Sequence, residues 1–355
     1  MNKIEANEAF SKRLEKIEST LLRFLPKQSN EKWIFESFGK IDTSVNQSHL
    51  KNLLEPTRNL LDLGGKRWRP LLLVLCAESL GGKNGASKGI ELTPLVEFAH
   101  TASLIHDDIE DSADERRGAD AAHILFGLDV ALNAASWLYF QSSCCIDASS
   151  LSVEKKLALH ALYCQELRRL HLGQAMDILW HRNPDLFPSI SEYDAMVKNK
   201  TGTLARLAVK TGFLAGGSSE EKANEAGKSA EEIGRGFQII DDVINLTSGN
   251  LGKKRGDDIV EGKKSLPVLL HLKKKPEDAK KISELFFEAK KNGIESAAVE
   301  KAIKLLSESG SIEEAKREGN LLIEKNGKAL ASLLCENGEN EGANLVYALF
   351  ESLKK

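Results

Sequence analysis

Apolar residues recur at i, i+3, i+4 and i+7 along most of this chain, as in "LVEFAHTASLIHDDI" (95–109) and "EEIGRGFQIIDDVINL" (231–246). That spacing lines one face of a helix with core-facing side chains. Strand-like alternation is almost absent. Gly, Pro, Asn and Ser gather at "LGGKRWRP" (63–70), "GGKNGASKG" (81–89), "HRNPDLFPS" (181–189), "GGSSEE" (216–221) and "TSGNLGKKRGDD" (247–258), and these breaks divide the chain into some ten or more predicted helices. No fixed repeat period appears, and no Pro- or Ser-rich linker separates two unlike halves. The expectation is a single all-α domain over 1–355, with 1–60 as an N-terminal helical extension and 270–355 as C-terminal helices. The Lys/Glu-rich stretch from about 272 to 330 reads as a peripheral part with a solvated charged face.

Composition removes several classes of function. The net charge is -3, from 49 basic and 52 acidic residues, so nothing in the balance asks for nucleic acid or an anionic membrane. Five cysteines, an odd number without CxxC spacing, suggest neither a disulfide framework nor a zinc site. The opening "MNKIEANEAFSKRLEKIEST" has no uninterrupted apolar core and does not look like a signal peptide. The longest apolar run, Leu71 to Ala77, is far too short to span a bilayer. A soluble, cytoplasmic protein is expected.

Two acid clusters change the picture. "HDDIEDSADERRG" (106–118) crowds carboxylates together at an electrostatic cost, then adds two arginines. Asp107, Asp108 and Asp111 stand at i, i+1 and i+4 at the end of an apolar-periodic segment, and Asp241, Asp242 and Asn245 repeat that spacing. Either cluster alone reads as a solvated helix end. Two of them on apolar helices point instead to hard oxygen ligands for Mg²⁺, which is held by one or two carboxylates plus substrate phosphate. The D-x-D-x-D-G alternation of an EF-hand is missing. Basic residues stand close by: Lys66, Arg67 and Arg69 in a Gly-led turn, Arg116 and Arg117 after the first cluster, and Lys253, Lys254, Arg255, Lys263 and Lys264 after the second. Arginine forks and mobile lysines beside such carboxylates suit diphosphates.

In order, "GGKRWRP", "HTASLIHDDIED…RRG", "GQAMD" (173–177), "KTGTLARLA" (200–208), "FQIIDD" (237–242) and "GKKRGDDIVEGKKSLP" (252–267) resemble the motifs of the trans-isoprenyl diphosphate synthases, or polyprenyl synthetases, over about Gly64 to Pro267. The resemblance implies an isoprenoid-synthase helical bundle around a deep apolar cavity, the two aspartate clusters facing each other at its mouth, and a homodimer. It implies head-to-tail condensation of isopentenyl diphosphate with an allylic diphosphate by ionisation, condensation and elimination. Asp107, Asp108, Asp111, Asp241 and Asp242 match the residues that hold three Mg²⁺ ions on the allylic diphosphate. Arg116, Lys200 and Lys253 match those that contact that diphosphate, with Lys263 also substrate-binding. Lys66, Arg69, His100 and Arg117 match the isopentenyl diphosphate site. Thr201 and Gln238 match positions whose oxygens face the developing carbocation. Asn245 stands where many members have Asp, and so loses a charge. Members that make geranylgeranyl diphosphate often carry Asn here, and "GQAMDILW" and "YDAMVKNKTG" are similar to that branch.

The growing tail should run between helices, so Ser103 and Ala102, one turn before Asp107, and Ala99 below them should set its depth. All three are small, which predicts a channel that accepts at least a C20 product, with geranylgeranyl diphosphate expected and farnesyl or longer chains as the alternatives. Trp137, Tyr139 and Phe140 read either as a floor to that channel or as plain core, and His106 as a structural rather than catalytic histidine. Three rivals stand against this reading. A terpene cyclase would not need Lys66, Arg69 and Arg117 for a second diphosphate. A non-catalytic subunit of a heteromeric synthase would typically have lost acid-cluster residues. A lipid carrier leaves the charges unexplained.

Overall fold

The computed structural model describes residues 3–249, 254–335, 338 and 340–354. The first helices are α1 (Lys3–Phe24), α2 (Glu31–Phe38), α3 (Gln47–Asp62), α4 (Trp68–Glu91) and α5 (Thr93–Asp111). A two-stranded hairpin, β1 (Glu115–Arg116) and β2 (Ala119–Asp120), separates α5 from α6 (Ala122–Phe126), α7 (Leu128–Gln141), α8 (Cys144–Ala148) and α9 (Val153–His181). Next come α10 (Ile190–Val197), a π-helical turn (Lys198–Gly202), α11 (Thr203–Gly216), α12 (Glu220–Thr247), α13 (Asp257–Glu261) and α14 (Leu266–Lys274). The chain ends in α15 (Ala279–Asn292), α16 (Ala297–Glu308), α17 (Ser311–Leu334) and α18 (Glu341–Leu353). The all-α class read from the periodicity is correct.

The chain divides into two compact units: Met1–Leu167 with Arg206–Gly227 and Leu330–Leu349, and Arg168–Ala205 with Lys228–Ala329 and Phe350–Lys355. In the first unit Leu71 to Ala77 of α4 are buried on every side, which explains why that run shows no polar face. Each such leucine contributes roughly 2 kcal/mol of burial. A Cβ at Gly212 of α11 would lie 2.6 Å from the Leu73 carbonyl oxygen, so α4 and α11 meet backbone to backbone. Helices α1 to α3, expected as an extension, are built into this unit. Arg13 donates to Glu78 at 2.7 and 2.8 Å, and the Trp33 ring meets Trp137 edge-on at 6.3 Å.

In the second unit Val243 and Leu246 of α12 join Leu266, Leu270, Ile282, Phe286 and Leu306 in one apolar core. The Lys/Glu-rich stretch forms α15 to α17, which bury that apolar stripe and leave Lys280, Lys281, Lys290 and Lys291 exposed. Ser189 and Glu192 close the N-terminus of α10 with reciprocal bonds, the capping box that ends the 181–189 break.

Two local expectations are corrected. The break at 81–89 is only a kink, at Gly82 (φ 56°, ψ -144°), and the helix resumes because Gly85 and Gly89 pack directly on Ala77 and Val74. A hairpin stands where no strand was expected, because Arg117 and Gly118 both adopt positive φ (56° and 78°) and make a two-residue turn that pairs Arg116 with Ala119. Among the described residues no helix is long and apolar enough to cross a membrane, and the five cysteines are free thiols.

Candidate active site

The first acid cluster occupies the last turns of α5, where the helix macrodipole is already negative, so its carboxylates are doubly in need of a cation. The hairpin supplies one. Arg116 donates to Asp108 through both Nε, at 2.7 Å, and Nη2, and its Nη2 lies 3.5 Å from Asp107. Asp108 is buried at 1% exposure, while the Asp107 side chain keeps 15%. Arg117, the next residue, occupies the left-handed region at a cost of about 1 kcal/mol. Its Nη1 donates to the carbonyls of Gly64 and Leu60, so one turn sends neighbouring guanidinium groups to two different places.

The second place is the Gly-led turn before α4. Gly64 and Gly65 have φ of 79° and 146°, and a Cβ at Gly65 would lie 3.0 Å from Arg117 Nη2. Arg69 Nη1 stands 3.4 Å from His100 Nε2, and Lys66 is exposed at the lip of the turn. Arg67 turns inward and binds Glu18 and Glu97, both at 2.7 Å, so it is a buried strut and not a free anion ligand. Burial alone would raise the Glu97 carboxyl, but the His100 ring 3.7 Å away and the charges of Arg67 and Arg69 hold it at about 2. Burial, aided by Arg69 and Arg117, pushes His100 down to about 4, and burial also lowers Arg117. Crowded cations of this kind favour an anion.

A neutral His100 has a consequence for stability. Its folded value lies below the ordinary 6.5, so between pH 6.5 and 4 the unfolded chain takes up a proton that the folded chain refuses. Stability is full above that window and is lost as pH falls through it. Between pH 7 and 5 the margin of the unaltered protein over His100→Gln should shrink by about 2 kcal/mol in urea unfolding, and an unchanged margin would refute the assignment.

In the second unit the π-helical turn carries the chemistry. Such turns insert one extra residue and re-aim the side chains that follow. Lys200 Nζ meets Asp177 Oδ2 at 2.6 Å, and Thr201 Oγ1 donates to Gln238 Oε1 at 2.8 Å. Gln238 Nε2 donates to Asp242 Oδ1 at 2.9 Å, and the Tyr193 hydroxyl to Asp242 Oδ2 at 2.7 Å. Burial and then the neighbouring Asp258 push Asp242 up to about 7, against the bonds from Gln238 and Tyr193. Asp241 beside it is partly exposed. Asn245 is 3% exposed and accepts from the Asp258 backbone N–H at 3.2 Å, so it pins the turn before α13. Lys263 pairs with Glu261 at 2.6 Å, whereas Lys264 is buried, donating to the Pro184 carbonyl at 2.9 Å above the rings of Phe187 and Phe286. Lys253 lies outside the described residues.

Among the described residues no three His, Cys, Asp or Glu side chains are gathered into a ready-made metal cage. Partly exposed oxygen donors at a negative helix end nevertheless fit Mg²⁺, which completes its shell with water and phosphate. Of the tail-depth residues, Ala99 and Ala102 are fully buried, and the half-buried Ser103 donates to the His100 carbonyl at 2.8 Å. Tyr139 stacks on His106 at 5.4 Å, Trp137 on Phe38 at 6.1 Å, and Phe140 is 77% exposed, so Phe140 is not core. His106 is satisfied structurally, between the Ala102 carbonyl at 3.0 Å and Ser136 at 3.3 Å. Asp177 and Tyr193 were missed as site residues although their motifs had been singled out; a period shows which face a residue shares, not which distant side chain it meets.

The family model described as polyprenyl synthetase matches residues 50–306, which contain every one of these site residues. The chain belongs to the polyprenyl synthetase family. Among its relatives, this polyprenyl synthetase is 35% identical over 244 residues to the geranylgeranyl pyrophosphate synthase dpfgD of Gibberella zeae, covering 67% of this chain and 63% of that one, just under two thirds. It is 36% identical over 234 residues to the geranylgeranyl diphosphate synthase of Methanosarcina mazei, covering 64% and 70%. The crystal structure of geranylgeranyl pyrophosphate synthetase from Pyrococcus horikoshii matches with a TM-score of 0.82 at 26% identity, over 99% of this chain and 98% of that one.

Proposed function

We propose that this chain is a trans-prenyltransferase that condenses isopentenyl diphosphate with an allylic diphosphate and releases geranylgeranyl diphosphate. The observation that carries the reading is the Arg116–Arg117 turn, which joins the carboxylates at the end of α5 to the cation cluster around Gly64. Lys66, Arg69, His100 and Arg117 hold isopentenyl diphosphate. Arg116, Lys200, Lys253 and Lys263 hold the allylic diphosphate. Asp107, Asp108, Asp111, Asp241 and Asp242 would hold three Mg²⁺ ions, which when bound would supply positive charge to stabilise the departing diphosphate. Thr201 and Gln238 turn oxygen atoms toward the allylic cation, and positioning makes its capture effectively unimolecular. The released diphosphate takes the proton.

Leu128, Leu132 and Phe140 on α7 and Val153 and Leu157 on α9 are large apolar side chains left exposed, which supports a homodimer. Five unpaired thiols support a reducing, cytoplasmic setting.

The test is to incubate the protein with isopentenyl diphosphate, Mg²⁺ and dimethylallyl, geranyl or farnesyl diphosphate in separate reactions, and to resolve products by chain length. A C20 product is expected. Ala102→Phe should shorten it on this reading, in which the tail passes Ala102, and because that side chain has no exposed surface the ring must also displace its packed neighbours. No product from any starter would favour a partner-dependent subunit, and an unchanged length in Ala102→Phe would overturn the depth argument.

A further inference from the structure

We propose that Tyr193 is a positioning residue: its hydroxyl fixes Asp242, and through Asp242 and Gln238 it fixes the direction in which the Thr201 hydroxyl points. The inference rests on the reading of this site as that of a prenyltransferase. Tyr193 is 1% exposed and lies in α10, before the π-helical turn, and its phenol is turned to Asp242 and away from solvent. A buried phenol requires a partner, and Asp242 Oδ2 is that partner at 2.7 Å.

The order of donors then follows from chemistry. Asp242 accepts at both oxygens, from Tyr193 and from Gln238, so the Gln238 amide faces it with its nitrogen, which turns Oε1 toward Thr201. Thr201 must therefore donate its proton to Gln238, and its remaining lone pairs are left for other neighbours. An oxygen that presents lone pairs stabilises a developing carbocation; one that presents its proton repels it. Without the Tyr193 hydroxyl, Asp242 loses the donor on its second oxygen and can turn away from Gln238, which frees the amide to flip and Thr201 to reverse.

Tyr193→Phe keeps the ring and removes the donor. The expected results are a melting temperature lowered by a few degrees, affinity for inorganic diphosphate with Mg²⁺ weakened about tenfold by calorimetry, and kcat lowered about thirtyfold. The KM for isopentenyl diphosphate should stay within about twofold, because its ligands belong to the Gly64 turn. In an Asp242→Ala background the same change should weaken diphosphate binding no further. Unaltered binding and kcat in Tyr193→Phe would overturn the proposal, as would a full additional loss of binding in the Asp242→Ala background. If Tyr193→Phe does not fold, Gln238→Met breaks the chain of bonds at a half-buried position, and wild-type kcat there would also overturn it. An unaltered protein that neither binds Mg²⁺ with diphosphate nor turns over would instead remove the underlying functional reading.

Discussion

Replacing Asp107 by alanine is expected to lower kcat/KM by about three orders of magnitude while leaving the fold intact, and replacing Asp108 is expected to damage both. The difference follows from their surroundings. Asp107 keeps 15% of its side chain in solvent and is touched only loosely by Arg116, at 3.5 Å. Its removal leaves Arg116 still bonded to Asp108. On the proposed function, what it removes is an oxygen donor for the cation that would neutralise the leaving diphosphate, and one lost electrostatic contact at a developing charge costs about 4 kcal/mol, roughly a thousandfold in rate. Asp108 is 2% exposed at the side chain and receives two bonds from one guanidinium. Taking it away removes both bonds that hold the Arg116 guanidinium to a buried carboxylate, a loss of about 3–5 kcal/mol. Steady-state kinetics and urea unfolding of the two variants separate the effects. Asp107→Ala retaining more than a tenth of wild-type kcat/KM would remove this residue from the metal site.

Much of this arrangement was legible in the sequence, because its elements obey local rules. Apolar spacing gave α5 and α12 with both acid clusters near their ends, and the glycine pair before Lys66 announced the turn that gathers Arg69, His100 and Arg117. The hairpin was harder to see. Its strands are two residues each and show no alternation, so the evidence for it was turn chemistry alone, and Arg117 is an uncommon residue at positive φ. Long-range partners were not legible at all. Arg67 looked like a phosphate ligand beside Lys66 and Arg69, yet Glu18 and Glu97, 49 and 30 residues away, claim it. Asn245 read as a position that had lost a charge and whose direct binding of metal was doubtful; that its oxygen holds the backbone of Asp258 was not legible. A sequence pattern states which residues share a face. It does not state which carboxylate on another helix will bond a given cation.

The π-helical turn is the feature that periodicity could not have given, and Gly173→Ala is expected to expose its importance. A Cβ at Gly173 would lie 2.4 Å from the Lys200 nitrogen and 2.8 Å from the Asn199 carbonyl carbon, distances that real side chains do not tolerate. Both obstacles are backbone, so no side chain can swing aside to make room. On propensity alone the change should help, because alanine in mid-helix is favoured over glycine by about 0.5–1 kcal/mol. The overlap decides the sign: α9 must retreat from the turn, and overpacking of this kind costs about 1–3 kcal/mol. Lys200 and Thr201 move with the turn, so the bonds to Asp177 and Gln238 lengthen together. A displacement near 1 Å at groups that position a reacting centre lowers turnover by about a hundredfold. The same turn is pressed from another side by Gly234, whose Cβ would lie 2.7 Å from the Gly202 Cα, so Gly234→Ala should reproduce the loss from the opposite helix. Stability and kcat measured on both variants test this, and wild-type turnover in Gly173→Ala would show that the turn yields without moving Lys200.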